Sequence, residues 1–362
     1  MTNLTAGDPA PWFTAATSRN PEFNFGTVAG RYVVLSFFGS AATQPGARFL
    51  EHVLERHDAF DDDQVAFFGV TNDASDRERT QSRSNGVRFF WDFDRAVAGL
   101  YGIDPDGEDG PLTTFLLDLN LRVFARLREA DPDKHAAALF DLIGRLRKIP
   151  PPTPAALQAP ILVVPRVFEP AFCRMLIGLY EQHGGKESGS MRERDGKTVA
   201  VIDHQHKRRK DYVIEDERVR AAARARISRR LLPEIKKAFQ FDVTRMERYI
   251  VACYTAEEGG FFRAHRDNTT KGTAHRRFAV TLNLNADEYE GGNLRFPEYG
   301  SHLYRAPTGG AVVFSCSLLH EATPVTKGTR YVFLPFLYDE AGAAIREANN
   351  VYLDDSVGAY RR

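Results

Sequence analysis

Through the first part of the chain, short apolar runs alternate with stretches whose apolar residues recur every three or four positions. Residues 32–38 (YVVLSFF) read as a buried strand, 65–70 as a second, 113–118 as a third and 122–126 as its hairpin partner. Between them, 46–57 carries Phe49, Leu50, Val53 and Leu54 at helical spacing, and 135–146 closes the stretch as an amphipathic helix. Strands alternating with helices predict an α/β sheet domain. Later the pattern changes. Helices are expected over 170–183 and 217–239, and from Arg248 onward the chain is mostly strands, at 249–254, 278–283, 293–296, 310–314 and 331–337, divided by Gly, Asn, Asp and Pro turns. Helices outside a run of short antiparallel strands predict a barrel or jelly roll.

The boundary between the two patterns is Lys148-Ile149-Pro150-Pro151-Pro152-Thr153-Pro154, followed by an alanine-rich stretch to Pro160. Clustered prolines neither continue a helix nor donate to a sheet. Residues 149–160 are therefore expected to link a domain over 1–148 to one over 161–362.

Composition narrows the function classes. The formal net charge of the 362 residues is zero, so no global field draws the chain to nucleic acid or an anionic membrane. The N-terminus has neither a basic nor an apolar leader region, and no window approaches the roughly 18 apolar residues of a membrane span. The three cysteines, Cys173, Cys253 and Cys316, are far apart and form no CxxC. A reduced, cytoplasmic protein without disulfides and without a membrane partner is expected.

The sharpest chemical signal is Ala264-His265-Arg266-Asp267, joined in a later strand by His320. Residues i and i+2 of a strand share a face, so His265 and Asp267 can reach one ion. A distal histidine completes a two-His-one-carboxylate set, which leaves neighbouring positions open for a bidentate oxo-acid and O₂. Arg330, on the strand after His320, offers a planar fork for a distal carboxylate. An HxD triplet alone is weak; the competing reading makes the histidines ordinary strand residues and Arg330 a surface cation.

The run from Tyr254 through His265-Arg266-Asp267, the 281–285 strand (TLNLN), Gly291-Gly292-Asn293-Leu294-Arg295-Phe296-Pro297, His320 and Arg330 resembles the prolyl 4-hydroxylase-like branch of 2-oxoglutarate/Fe(II) oxygenases. The likeness covers about residues 160–340. It implies a double-stranded β-helix with flanking helices, Fe(II), 2-oxoglutarate and O₂ as cofactors, ascorbate as a supporting reductant, and Tyr254 as a hydroxyl partner of 2-oxoglutarate. The implied reaction hydroxylates a C–H bond, in a prolyl or other residue of a protein or in a small molecule. A non-catalytic interaction protein on the same scaffold is the competing class.

Gly7-Asp8-Pro9-Ala10-Pro11-Trp12-Phe13, Phe37-Phe38-Gly39-Ser40-Ala41-Ala42-Thr43-Gln44-Pro45-Gly46 and Thr113-Thr114-Phe115-Leu116-Leu117-Asp118 resemble peroxiredoxins, which implies a thioredoxin-like fold. The residue matching their reactive cysteine, three after Thr43, is Gly46, and the position of their thiolate-stabilising arginine is Leu112. With no cysteine before Cys173, thiol chemistry is not expected of this half. A role in packing, dimerisation or partner docking is expected instead.

Other candidates have plainer readings. Asp203-His204-Gln205-His206 has metal-binding residue types, but the neighbouring cations at 207–210 oppose a dication, so 203–206 is expected to be a polar loop. The basic run 207–210, with the helix arginines Arg218, Arg220, Arg224, Arg226, Arg229 and Arg230, could bind nucleic acid or an acidic peptide but lacks aromatic interleaving or a nucleic-acid motif, and reads as a solvated face. Arg276 and Arg277 follow a Gly/Thr loop and are candidates for substrate contact, weighed against charge at a strand edge. His183 and His302 read as surface residues, and Cys253 and Cys316 as core.

Overall fold

The computed structural model describes residues 3–81, 85–103, 112–355 and 357, and the chain divides into two compact units, Met1–Thr153 and Pro154–Arg362. The division falls inside the proline-rich segment, which forms no regular element. Ile149 is tied to Gln64 of the first unit by two hydrogen bonds of 2.8 and 3.1 Å, and the Ala159 amide donates to the Tyr304 hydroxyl of the second at 3.0 Å.

The first unit is a five-stranded sheet in the order Val87–Trp91, Val65–Thr71, Tyr32–Gly39, Thr113–Leu117, Val123–Arg128. The first three strands are mutually parallel and the last two join antiparallel, the mixed arrangement of a thioredoxin-like fold. Alternate residues supply separate apolar clusters, Val33, Leu35 and Phe37 in one and Val34 and Phe38 in the other. A strand buried on both faces reads as an unbroken apolar run, as 32–38 does. The helices Gln44–Glu55 and Pro132–Gly144 bury Phe49, Leu50, Val53, Leu139 and Phe140 in the second cluster. Leu112, at the position of the missing arginine, lies in that cluster too.

The second unit is a jelly roll of two antiparallel sheets. The larger runs Arg245–Glu247, Phe336–Tyr338, Phe278–Asn283, Val325–Phe333, Ile250–Thr255, Lys210–Val213, Lys186–Glu187, with Ala311–Ser315 bridging Phe278–Asn283 and Leu162–Val164. The smaller runs Lys207–Arg208, Phe261–His265, His320–Ala322, Leu294–Arg295, Leu303–Tyr304. One face of the larger sheet (Val251, Val280, Leu282, Phe333) packs on Phe172, Leu176, Ile227 and Ile235 of the flanking helices. Its other face meets the smaller sheet through Ala279, Val312, Phe314, Leu294 and Phe296. No helix among the described residues is long and apolar enough to cross a membrane.

Three expectations are corrected. The helix expected over 217–239 is two, Glu217–Arg230 and Leu232–Phe239, because Pro233 suits the first turn of a new helix and not the interior of an old one. The strand expected over 331–337 is likewise two, Val325–Phe333 and Phe336–Tyr338, parted at Pro335. Residues 207–210 are not a solvated face. They are extended and paired, with Lys207 and Arg208 on Phe262 and Phe261, and Lys210 on Cys253. Alternation then turns Lys207 and Arg209 inward, to 6 % and 7 % exposure, while Arg208 stays outside.

Candidate metal centre

His265 ends the strand Phe261–His265 and His320 opens the strand His320–Ala322; they are register partners, with ring centroids 4.3 Å apart. Asp267 follows two residues on, where its amide donates to the Cys316 carbonyl at 2.9 Å. Its carboxylate lies 3.5 Å from His265 Nε2 and 3.3 Å from His320 Nε2. One ligand atom from each of the three residues falls within 4.8 Å of the others. Among the described residues this is the one such group of three.

The backbone fixes which nitrogens face inward. His265 Nδ1 lies 2.7 Å from the Arg263 carbonyl and His320 Nδ1 lies 3.0 Å from the Leu318 carbonyl. A carbonyl only accepts, so each Nδ1 carries the proton and each Nε2 presents a lone pair. Burial pushes the pKa of His320 down to about 4, which keeps that lone pair available. Burial opposes the charge of Asp267, but His320, His265 and Arg276 hold its carboxyl well below the usual carboxylate range. Phe262 stacks on the His265 ring at 3.5 Å and Phe314 lies 4.5 Å from the His320 ring, so apolar surface backs both imidazoles.

The group opens on a cavity of about 860 Å³ also lined by Tyr254, Arg330, Lys207, Arg209, Asp211, Arg248 and Met191. Tyr254 and Arg330 are register partners on neighbouring strands, and the guanidinium lies 4.9 Å over the tyrosine ring. Arg330 is 2 % exposed, and its Nε has no hydrogen-bond partner. Among the described residues no carboxylate pairs with it. Gly292 keeps this space open: its φ is +59°, and a Cβ there would stand 2.8 Å from Arg330 Cδ. The Tyr254 hydroxyl is reached by Arg209 Nη1 at 3.4 Å.

Sequence reading brought Tyr254, His265, Asp267, His320 and Arg330 to notice, and the fold gathers all five around one cavity. Arg276 also lines the cavity and is held from behind. Its Nε pairs with the buried Glu247 at 2.7 Å, its guanidinium lies 3.9 Å over Phe336, and Nη1 donates to the Asp267 carbonyl at 3.3 Å. It braces Asp267 from inside. Arg277 bonds to the Ala274 carbonyl and lies 3.9 Å from Asp339. Asp203 is held by Arg192 at 2.8 Å, and His206 packs edge-on to Phe262. Arg226 and Arg230 are not a solvated face: both pair with Glu169, at 2.6 and 2.8 Å. Sequence reasoning missed Glu247, Lys207, Arg209, Asp211 and Arg248. The alternation of 207, 209 and 211 along an extended segment was the signal available for three of them.

At the start of the helix Gln44–Glu55, the Thr43 hydroxyl donates to the Ser40 carbonyl at 2.8 Å. Gly46 sits so close that a Cβ would lie 2.0 Å from that carbonyl oxygen. The Ser40 hydroxyl and Ala41 amide are taken up by Asp73 and Asp76, at 2.5 and 2.8 Å.

Residues 249–338 match the model of the 2OG-Fe(II) oxygenase superfamily, and residues 6–124 match that of the AhpC/TSA family. A PKHD-type hydroxylase of Cupriavidus metallidurans is 37 % identical over 94 residues, 23 % of this chain and 41 % of that protein. One of Pseudomonas paraeruginosa is 34 % identical over 87 residues, 22 % and 38 % of the two chains. The chain thus spans less than half the length of these curated relatives. Among solved structures, a Trichoplax adhaerens prolyl hydroxylase in complex with a hypoxia inducible factor peptide fragment is 17 % identical, covers 52 % of this chain and 87 % of its own, and gives a TM-score of 0.38. A Mycobacterium tuberculosis peroxidoxin is 19 % identical, covers 40 % and 100 %, and gives 0.36. The chain therefore joins a segment similar to the AhpC/TSA family, residues 6–124, to a segment similar to the 2OG-Fe(II) oxygenase superfamily, residues 249–338.

Proposed function

We propose that the second unit is an Fe(II)- and 2-oxoglutarate-dependent dioxygenase that hydroxylates a C–H bond. The observation that carries this is the convergence of two imidazole Nε2 atoms and one carboxylate on a cavity that also holds a buried arginine with no carboxylate partner among the described residues. The donor set is the one that suits non-haem Fe(II). A buried guanidinium in need of an anion is what a dicarboxylate co-substrate requires at its far end. His265, Asp267 and His320 are the proposed metal ligands, and Arg330 and Tyr254 the proposed partners of 2-oxoglutarate.

Bound Fe(II) supplies the chemistry by which 2-oxoglutarate and O₂ become succinate and CO₂ while one oxygen atom enters the substrate C–H bond. The chain's own residues set the geometry. The Arg263 and Leu318 carbonyls orient the imidazoles, and Arg276 with the Cys316 carbonyl fixes the backbone of Asp267. Arg330 sets the depth at which the co-substrate sits. Phe262, Leu294 and Phe314 line the cavity with apolar surface that excludes water. The substrate read from the prolyl hydroxylase resemblance is a residue of a protein or peptide. Residues 149–160 are read as the joint to the first unit, which we take as a docking or packing domain.

Purified full chain with Fe(II), ascorbate and air is expected to form succinate slowly from 2-oxoglutarate without added substrate. The His265→Ala/Asp267→Ala double variant should form none. A wild-type protein that loads iron yet makes no succinate with any substrate tried would return the interaction-protein reading.

A further inference from the structure

The cavity carries more positive charge than these cofactors account for. Lys207, Arg209 and Arg248 gather around one carboxylate, Asp211, and all four line the same space as Asp267. Arg209 takes that carboxylate through Nε and Nη2, each at 2.7 Å. Arg248 reaches it only at 3.4 Å. Lys207 has no carboxylate of the described residues within ion-pair distance and donates to the Ser188 hydroxyl and the Gly189 carbonyl, each at 2.7 Å. The next carboxylate, Glu247, is already shared by Arg276 and Arg346, at 2.7 Å each. Glu258 is turned outward onto Lys210. With Arg330 given to 2-oxoglutarate, Lys207, Arg209 and Arg248 share the single carboxylate of Asp211, an excess of two positive groups.

Excess buried charge is costly: burial holds the Lys207 ammonium pKa well below that of a free lysine, and at Arg248 backbone strain adds to the cost. Arg248 has a φ of +67°, a region unfavourable to residues with a side chain, and this turn sends its guanidinium beside Asp211 and over Phe336. Lys207 meanwhile lies 4.8 Å over Phe262, the ring that stacks on His265. The two cations thus stand beside the metal centre rather than on the outer surface.

We propose that the substrate carries an oxyanion group, a carboxylate or a phosphate ester, that seats between Lys207 and Arg248 while its reacting C–H faces His265, Asp267 and His320. This rests on the oxygenase reading and assigns it a substrate class. An excess of two cations over the one carboxylate matches a dianion better than a monoanion.

The test is calorimetric titration of sodium sulfate, and separately sodium acetate, into the full chain holding Mn(II) and saturating 2-oxoglutarate, at constant ionic strength in chloride. Sulfate should bind saturably and more tightly than acetate. Lys207→Met and Arg248→Met should each weaken it about tenfold or more, whereas Lys207→Arg should retain it and the outward Arg208→Met should leave it unchanged. Tighter acetate would also support the seat and identify its group as a carboxylate. Sulfate bound equally by the wild type and both Met variants means an adventitious ion only and overturns the proposal, as does no saturable binding of either anion. If one Met variant does not fold, the other decides. Binding of 2-oxoglutarate with Mn(II), measured first on the same protein, separates the two readings. Its failure removes the oxygenase; a wild type that binds 2-oxoglutarate but neither anion removes only the seat.

Discussion

The start of the helix Gln44–Glu55 and the cavity beside His265 are the two places where this chain resembles an active site, and they differ in what is left unsatisfied. At the helix, Ser40, Ala41 and Thr43 have their hydrogen bonds met within the chain, and Gly46 is closed against the Ser40 carbonyl. Among the described residues no thiol stands there, and Gly46 leaves no room for a side chain. In the cavity, ligand atoms converge, Arg330 lacks a carboxylate, and Lys207 and Arg248 add further charge. A site whose polar groups satisfy one another can be purely structural. One that keeps buried charge unpaired is shaped for something absent from the chain.

The contrast can be broken or sharpened by mutation. The largest effect is expected from Asp267→Ala, which should lower succinate formation by about three orders of magnitude or more while circular dichroism shows the fold retained. Next is Glu247→Ala, which strands Arg276 and Arg346 in the interior. It should cost about 3–5 kcal/mol in urea unfolding of the second unit. Arg330→Ala should raise the KM for 2-oxoglutarate by about 10- to 100-fold, with Arg330→Lys intermediate, and an unchanged KM would remove that residue from the co-substrate site. Gly46→Ala should destabilise the first unit by about 1–3 kcal/mol. Gly46→Cys should unfold at lower urea without consuming hydrogen peroxide; a working peroxidase there would break the comparison outright.

The smallest effect is one of pH. Asp211 is buried, but Arg209, Arg248 and Lys207 hold its pKa near 2, and Arg276, His275 and Arg346 hold Glu247 lower still. Carboxyls depressed on folding contribute stability that is complete above the unfolded carboxylate range, near pH 4. It is lost as pH falls through the folded values. Unfolding free energy should therefore drop from about pH 4 downward, and Asp211→Asn should flatten part of that slope.

Much of this was legible in the sequence because it is local. The buried strands announce themselves as apolar runs, and His265 and Asp267 share a face by the period of a strand. His320 and Arg330 were legible through the resemblance of the whole run around them. The rest depends on partners distant in the chain. Glu247 has meaning only once Arg276 and Arg346 arrive beside it. Arg248 acts through a positive φ that no composition rule announces. The charged run 207–210 looks like a solvated face because high charge usually means exposure. Its inward face exists only because Phe261 and Phe262 pair with it. The breaks at Pro233 and Pro335 were readable and were outweighed by the surrounding periodicity.

The most direct test of the central claim is calorimetric titration of 2-oxoglutarate into the full chain, with and without Mn(II) in place of Fe(II). One-to-one binding that requires the metal, and that is lost in both Asp267→Ala and Arg330→Ala, is the predicted result. Binding indifferent to the metal, or undisturbed by either variant, would contradict the assignment of this cavity.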